Sequence, residues 1–415
     1  VCGIIRSIVA ASINNKAIAQ AISKRFEEQT KFLSGLVKAK SPNAHTPKDS
    51  KKDDPIEREV AELIYTKLKE MGLAPRRRGV SKQRYNVVCE WGAKRARKVL
   101  LLNGHMDTVP PDEKVVLNPY SGSVRGGRMY GLGVLDMKAS LSAYIFAVQA
   151  LIDLGYETEG RVFLAFVVDE ESGACSKYGT QYLLDYGLSA KAAIIGEPGT
   201  TKIGIAHRGG YRFKLIVEGE SVHTGIGAWE RGERGKNAAV EMAKAIMAIQ
   251  DIEIPYKTAR SFAGRKPVLT FPTKLLGGHA VNVVPGRAEA WGDVRLMPGN
   301  SDKQVKMLIV EKLQKLGIRF TLEDLLFVPS VEIDPREEIV ETLQREAESV
   351  LGVKPRPVGV GPWNDAWMLI KRDIPTICGF GPDGGGEHGV DEYVELKSLQ
   401  KVTEVYARTI VSYLA

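Results

Sequence analysis

Four apolar runs constrain this chain more than anything else in it. They are KVLLLNGH (98–105), RVFLAFVVDE (161–170), KAAIIGEP (191–198) and IPTICGF (374–380). A strand that is apolar along its whole length, not only at alternate positions, is buried on both faces, as in a parallel sheet covered by helices. Helical stretches separate the runs: DMKASLSAYIFAVQALIDLG (136–155), ended by Gly155, and YGTQYLLDYG (178–187). This alternation predicts an α/β fold around a mainly parallel sheet. The second run raises a question of its own, because it stops on three consecutive carboxylates, Asp169, Glu170 and Glu171.

Around residue 206 the texture changes. HRGGYRFKLIVEGESVHTG (207–225) alternates polar and apolar residues, as a half-exposed antiparallel strand does. A helix over 236–250, strands over 267–276, 280–285 and 287–296, a helix over 301–316 and a strand near 318–328 follow. The α/β pattern then resumes with helices at 336–351 and 396–414. The expected organisation is one domain interrupted by another: 1–205 and 326–415 form the α/β part, and 206–325 an α+β insert. A length of 415 residues with 44% hydrophobic content fits two cores better than one. Two further helices are expected over 13–39 and 56–72, joined by a polar loop (40–55) whose His45 reads as a loop residue.

Composition narrows the function classes. The net charge of +8 resides partly in PRRRGVSKQR (75–84) and AKRARK (93–98), which lack interleaved aromatics. They read as a solvated basic face, with no nucleic-acid partner expected. No apolar run approaches the roughly 20 residues of a membrane helix, so no membrane association is expected. The start, VCGIIRSIVAASINNK, lacks a basic leader and a small-residue cleavage site and is not expected to be a secretory signal. Cys2, Cys89, Cys175 and Cys378 form no CxxC pair, which points away from disulfides and thiolate zinc and toward a reducing cytoplasm.

In open α/β sheets functional groups gather beyond the carboxyl ends of the strands. There the sequence places His105 and Asp107, the trio Asp169–Glu171, Glu197, and a glycine-rich loop with Glu387 and His388; Asp136 opens the long helix. Singly, each has an ordinary explanation: Asp136 as a helix N-cap, Glu197 as a turn residue before Pro198. Together, many carboxylates in one cleft are costly without a cation, and Lys138 alone cannot balance them. Two imidazoles with carboxylates and no thiolate suit zinc, cobalt or manganese better than calcium or magnesium. The set suffices for two metals if one carboxylate bridges them, and a further carboxylate is then needed to take a proton from water.

The motifs NGHMDTVP, YGLGVLDMK, DEESG, IIGEP, VHTG, NVVPG with DVR, and EHGVDEY stand in the order and approximate spacing of one family. Over residues 55–415 the chain resembles the di-zinc deacylases and exopeptidases that include acetylornithine deacetylase, succinyl-diaminopimelate desuccinylase, aminoacylase and the glutamate carboxypeptidases. The resemblance implies a zinc-hydrolase catalytic domain carrying an inserted dimerisation, or lid, domain. It implies that His105, Asp136 and Glu197 hold one zinc and Asp136, Glu171 and His388 the other. Glu170 would be the general base, and Asp107 would fix the ring of His105 through its far nitrogen. Asp169 has no role in that scheme and reads as a solvated strand-end charge. His223 would stabilise the oxyanion across a homodimer, and Arg208, Asn282 and Arg295 would bind the substrate carboxylate or carbonyl. His207 and His279 have no assigned role.

Glu at 197 accompanies the deacylases by resemblance, which tilts the expected activity toward hydrolysis of N-acyl amino acids. A carboxypeptidase or general aminoacylase/dipeptidase is the alternative, and a non-catalytic binding relative a remote one. The chain departs from the family in its first 50 or so residues, where nothing is catalytic by pattern, and in SGACSKYGT (172–180), which differs from the commoner glycine pair. GFGPDG (379–384) matches a dinucleotide fingerprint but is followed by more glycines, not by a helix.

Overall fold

The computed structural model describes residues 14–43, 53–111, 118–172, 176–389 and 391–415. His45, Cys2, Cys175, the chain start and residues 173–175 of the loop after Glu171 lie outside the described residues. The chain divides into two compact units. One comprises 1–205, 333–358 and 364–415; the other comprises 206–332 and 359–363.

The first unit is built on a six-stranded sheet. Its strands are β1 (Arg76–Arg78), β2 (Asn86–Gly92), β3 (Val99–His105), β4 (Arg161–Val167), β5 (Ala192–Ile195) and the short Thr376–Ile377. The order is β1-β2-β4-β3-β5 and then Thr376–Ile377. The apolar runs form its parallel part: β3 runs parallel to β4 and to β5, and β5 parallel to Thr376–Ile377. The antiparallel β1 and β2 complete one side.

Three helices pack together beside this sheet: α1 (Asn15–Lys38), α3 (Ala139–Asp153) and the last helix, Leu396–Leu414; α2 (Arg58–Glu70) lies between α1 and α3 in sequence. Asn14 caps α1 by accepting from the Lys16 N–H. Phe32 of α1 meets Phe146 of α3 at 6.0 Å, and Tyr144 of α3 meets Tyr406 at 4.9 Å between ring centroids. Gln29, fully buried, donates to Thr403 at 2.8 Å. Contrary to the expectation that no stretch approaches bilayer length, Val134–Asp153 is long and apolar enough to cross one. It is nevertheless core, the turn before α3 together with α3 itself, since 89% of its apolar window is buried inside the protein. Gly155, at φ 64°, ends it as the sequence predicts.

The second unit carries a four-stranded antiparallel sheet in the order Val268–Gly277, Arg287–Leu296, Gly209–Glu218, Phe320–Val328. Buried and half-buried residues alternate along Arg287–Leu296, so one face is fully packed. Helices α4 (Ala238–Gln250) and α5 (Asp302–Lys315) cover that face, sealing a core of Phe213, Leu215, Met242, Ile249, Val305 and Ile309. Residues 280–285, expected as a strand, form instead a turn joined to the chain by one bridge, His223 to Val283.

Candidate metal centre

Register explains why the acids and imidazoles meet. His105 ends β3 opposite Val167 of β4, and Asn103 lies opposite Ile195 of β5. Residues just past the three strand ends, Asp107, Asp169–Glu171 and Glu197, therefore emerge at the same sheet edge. Asp136 reaches it from a turn before α3. It is not the N-cap: the helix starts at Ala139, after Lys138 in the cap position, and Asp136 has non-helical φ/ψ of −111° and 92°. Glu392, 1% exposed, holds this turn by accepting from the backbone N–H groups of Gly133, Leu135 and Asp136 at 2.8–3.0 Å.

Asp136 stands between the two imidazoles with one oxygen toward each. Its Oδ1 is 3.0 Å from His105 Nε2 and its Oδ2 is 3.2 Å from His388 Nε2. His388 Nε2 is also 3.1 Å from Glu171 Oε1, but without hydrogen-bond alignment, so that buried oxygen has no hydrogen-bond partner. His388 takes a left-handed φ of 61° to point there. Three groups of donor atoms lie within 4.8 Å of one another: His105 with Glu170 and Glu171, His105 with Asp136 and Glu197, and Asp136 with Glu171 and His388. The last two are the sets named above for the two cations, sharing Asp136.

Asp107 acts differently from the expectation. The His105 Nδ1 donates to the Asp107 backbone carbonyl at 3.0 Å, while the carboxylate lies 3.6 Å away. A carbonyl can only accept, so Nδ1 carries a proton and Nε2, which faces Asp136, is the nitrogen that would be free to ligate a cation. The Asp107 carboxylate is fully buried and accepts from the backbone N–H groups of Glu170 (3.3 Å) and Glu171 (2.9 Å) and from Asn43 Nδ2 (2.8 Å). Asn43 belongs to the segment in which the sequence showed nothing catalytic. Residues 41–43 run beside Thr108, and Ala39 accepts from Lys138 Nζ at 3.0 Å. That ammonium is fully buried, and burial pushes it down to about 7 against the pull of Glu392 and Asp107; it anchors the end of α1.

The cluster is electrostatically uncomfortable by itself. Burial, followed by neighbouring carboxylates, drives Glu197 and Glu170 well above the usual carboxylate range, against the opposing pull of His105. Burial likewise raises Asp365 to about 6, although Ser176 and Thr180 donate to it. His388 is raised to about 10 by its bond to Asp136 and by the Glu171 carboxylate beside it. Four part-buried carboxylates, Asp136, Glu170, Glu171 and Glu197, with the buried His105 and the more exposed His388 and an orphaned oxygen on Glu171, fit divalent cations in both chemistry and spacing. Sequence reasoning missed Asn43, Asp365 and Glu392. Glu392 sat unassigned in the EHGVDEY motif, and Asp365 in GPWNDAW follows the strand Arg356–Val360, the one signal that could have drawn notice.

Asp169 corrects another expectation. It is not solvated but 0% exposed, and its Oδ1 accepts from Arg84 at 3.2 Å. Arg84, counted above in a solvated basic face, is itself 1% exposed.

The other four candidates belong to the second unit. His223 is exposed, and its Nε2 is 3.2 Å from Asn282 Nδ2. Arg208 donates to the backbone carbonyls of Lys266 (2.8 Å) and Arg295 (3.3 Å), and its buried Nε has no hydrogen-bond partner. Arg295 lies over the Trp363 ring at 4.3 Å and pairs with Asp293 at 2.8 Å. Burial, then Arg265 and Arg295, lower the pKa of Arg208, a setting that favours an added anion.

Imidazoles and carboxylates massed at the carboxyl edge of a parallel sheet, with Glu170 beside them, define a metal-dependent hydrolase. Residues 101–412 match the model described as Peptidase family M20/M25/M40, and the chain belongs to that family. It is 27% identical over 347 residues to a succinyl-diaminopimelate desuccinylase of Cereibacter sphaeroides, covering 80% of this chain and 87% of that one. Its fold is similar to an M20 family metallo-carboxypeptidase from Sulfolobus solfataricus, with TM-score 0.74, 20% identity and coverage of 93% and 99%. It is also similar to the Bacillus subtilis YXEP protein, a dinuclear metal-binding M20 peptidase, with TM-score 0.65, 17% identity and coverage of 94% and 99%.

Proposed function

We propose that the chain hydrolyses the amide bond of N-acyl amino acids using two divalent cations, zinc in the first instance and cobalt or manganese as substitutes. The observation that carries this reading is Asp136, with one carboxylate oxygen turned to His105 and the other to His388. Asp136 would bridge, His105 and Glu197 would hold one cation, and Glu171 and His388 would hold the other. When bound, such a pair acidifies a water and polarises the scissile carbonyl. Glu170, part-buried and raised in basicity by its surroundings, accepts the proton of the attacking water and passes it to the leaving amine. Asp107 keeps His105 in its ligand tautomer through its carbonyl and holds the Glu170–Glu171 backbone through its carboxylate.

Arg208 and Arg295 take the substrate α-carboxylate, and Asn282 and His223 the carbonyl oxygen, His223 acting from a second copy of the chain. A homodimer is supported by the second unit's surface. Its edge strand Val268–Gly277 exposes Leu275 and Leu276 by 52% and 51%, and α4 exposes Val240 and Met247. Cys89 and Cys378, both free and buried, support a reducing, cytoplasmic setting. The relative named as a desuccinylase supports a deacylase over a peptidase.

The test is a set of initial rates with zinc-loaded protein on N-acetylornithine, N-succinyl-diaminopimelate, N-acetylmethionine and two blocked dipeptides. An acylated amino acid should be preferred. Converting its α-carboxylate to an amide should cost about 100-fold in kcat/KM, the ~3 kcal/mol of a charge-assisted contact. Equal rates on the dipeptides would make the protein a carboxypeptidase or general aminoacylase. Light scattering at a monomer's mass would remove the role of His223 in trans.

A further inference from the structure

We infer that Arg84 and Glu57 are positioning residues for the catalytic turn, holding the backbone one residue before Glu170; the inference rests on the function proposed above. The turn is unusual. Three successive backbone N–H groups, those of Asp169, Glu170 and Glu171, each donate to a buried carboxylate: Glu57 Oε1 at 3.2 Å, Asp107 Oδ1 at 3.3 Å and Asp107 Oδ2 at 2.9 Å. Asp169 has a left-handed φ of 74°, a conformation that non-glycine residues keep only when their surroundings impose it.

Glu57 and Arg84 are that surrounding. The Arg84 guanidinium donates to Glu57 Oε1 at 2.6 Å and Oε2 at 2.9 Å, and reaches Asp169 Oδ1 at 3.2 Å. One oxygen, Glu57 Oε1, thus serves both the guanidinium and the Asp169 N–H. The far side of Asp169 is tied as well: its carbonyl accepts from Ser176 N at 2.8 Å and its Oδ2 from Tyr178 N at 3.3 Å. All three charged side chains are at most 1% exposed. Buried ion pairs of this kind are weak contributors to stability, because the attraction is largely offset by lost hydration. What the triad supplies is geometry: it fixes where the chain leaves β4 and so the direction in which Glu170 is presented. Glu57, at the start of α2, and Arg84, before β2, come from parts of the chain that provide no metal donor in the groups above.

Glu57→Gln in the full chain tests this. The amide keeps an oxygen for the Asp169 N–H but sets an NH2 group against the guanidinium. Misplacing a base by a fraction of the distance that costs ~100-fold should lower kcat by about 10- to 100-fold. KM and bound zinc should stay within about 2-fold, since ground-state binding is untouched. In metal-free protein the backbone amides of 169–171 should exchange hydrogen markedly faster, while those of β3 and α3 keep their protection. Arg84→Lys, which keeps the charge but loses the fork that serves two carboxylates, should show the same two changes and replaces the first variant if that one does not fold. Unchanged kcat with unchanged exchange at 169–171 would overturn the inference. So would faster exchange throughout the unit with full kcat per folded molecule, which is the signature of a merely structural pair. If the unaltered chain hydrolyses no substrate, the proposed function falls, and exchange at 169–171 still decides whether the triad positions the turn.

Discussion

Glu170→Gln should lower kcat by about 10³-fold or more, at the upper end of what a positioned general base contributes. The amide keeps the size of the side chain and its backbone anchors on Asp107, so the site should keep its shape. Only the capacity to accept a proton is removed. Two further readings separate this from damage. Bound zinc should be unchanged, because Asp136, His105, Glu197, Glu171 and His388 remain. The metal-free variant should also be no less stable than the parent, since burial and the nearby Glu171, Asp365 and Glu197 already disfavour the charge on Glu170. A variant that keeps most of its turnover would assign the base elsewhere, with Asp365 the candidate, since of the carboxylates that act on Glu170 it is the one given no cation to hold.

Asp136→Asn should be equally severe for a different reason. Each Asp136 oxygen faces one imidazole, and the residue appears in two of the three donor groups. An amide retains one oxygen and turns an NH2 group, which repels a cation, toward the other side. The chain should therefore hold at least one fewer zinc by elemental analysis. Loss of even ~4 kcal/mol of metal-derived charge stabilisation lowers the rate by about 10³-fold. Retention of two cations by Asp136→Asn would show that Asp136 does not bridge them.

The parts of this centre that were legible in the sequence share one property: they sit at the ends of fully apolar strands. His105, Glu170, Glu171 and Glu197 follow runs whose burial on both faces dictates a parallel sheet, and a parallel sheet brings its strand ends to one edge. Asp136 and His388 needed the ordered motifs as well, because neither ends a strand. The supports were not legible. Asn43 bonds Asp107 from 64 positions away, Arg84 bonds Asp169 from 85, and Glu392 holds the Gly133 turn from 259. No local period encodes such pairings. Asp169 was misread for the same reason: a carboxylate beside two others reads as solvated until the buried arginine opposite is known. The Val134–Asp153 stretch was misjudged because its polar residues, among them Lys138 and Gln149, masked a segment buried along almost its entire length.

The most direct measurement is the rate of N-acyl amino acid hydrolysis by chelator-stripped protein as zinc is added back. The account predicts no turnover without metal and a rise that saturates at two equivalents, accompanied by two bound zinc ions in elemental analysis. Full activity in the stripped protein, or saturation of both rate and binding at a single equivalent, would contradict a two-cation hydrolase built around Asp136.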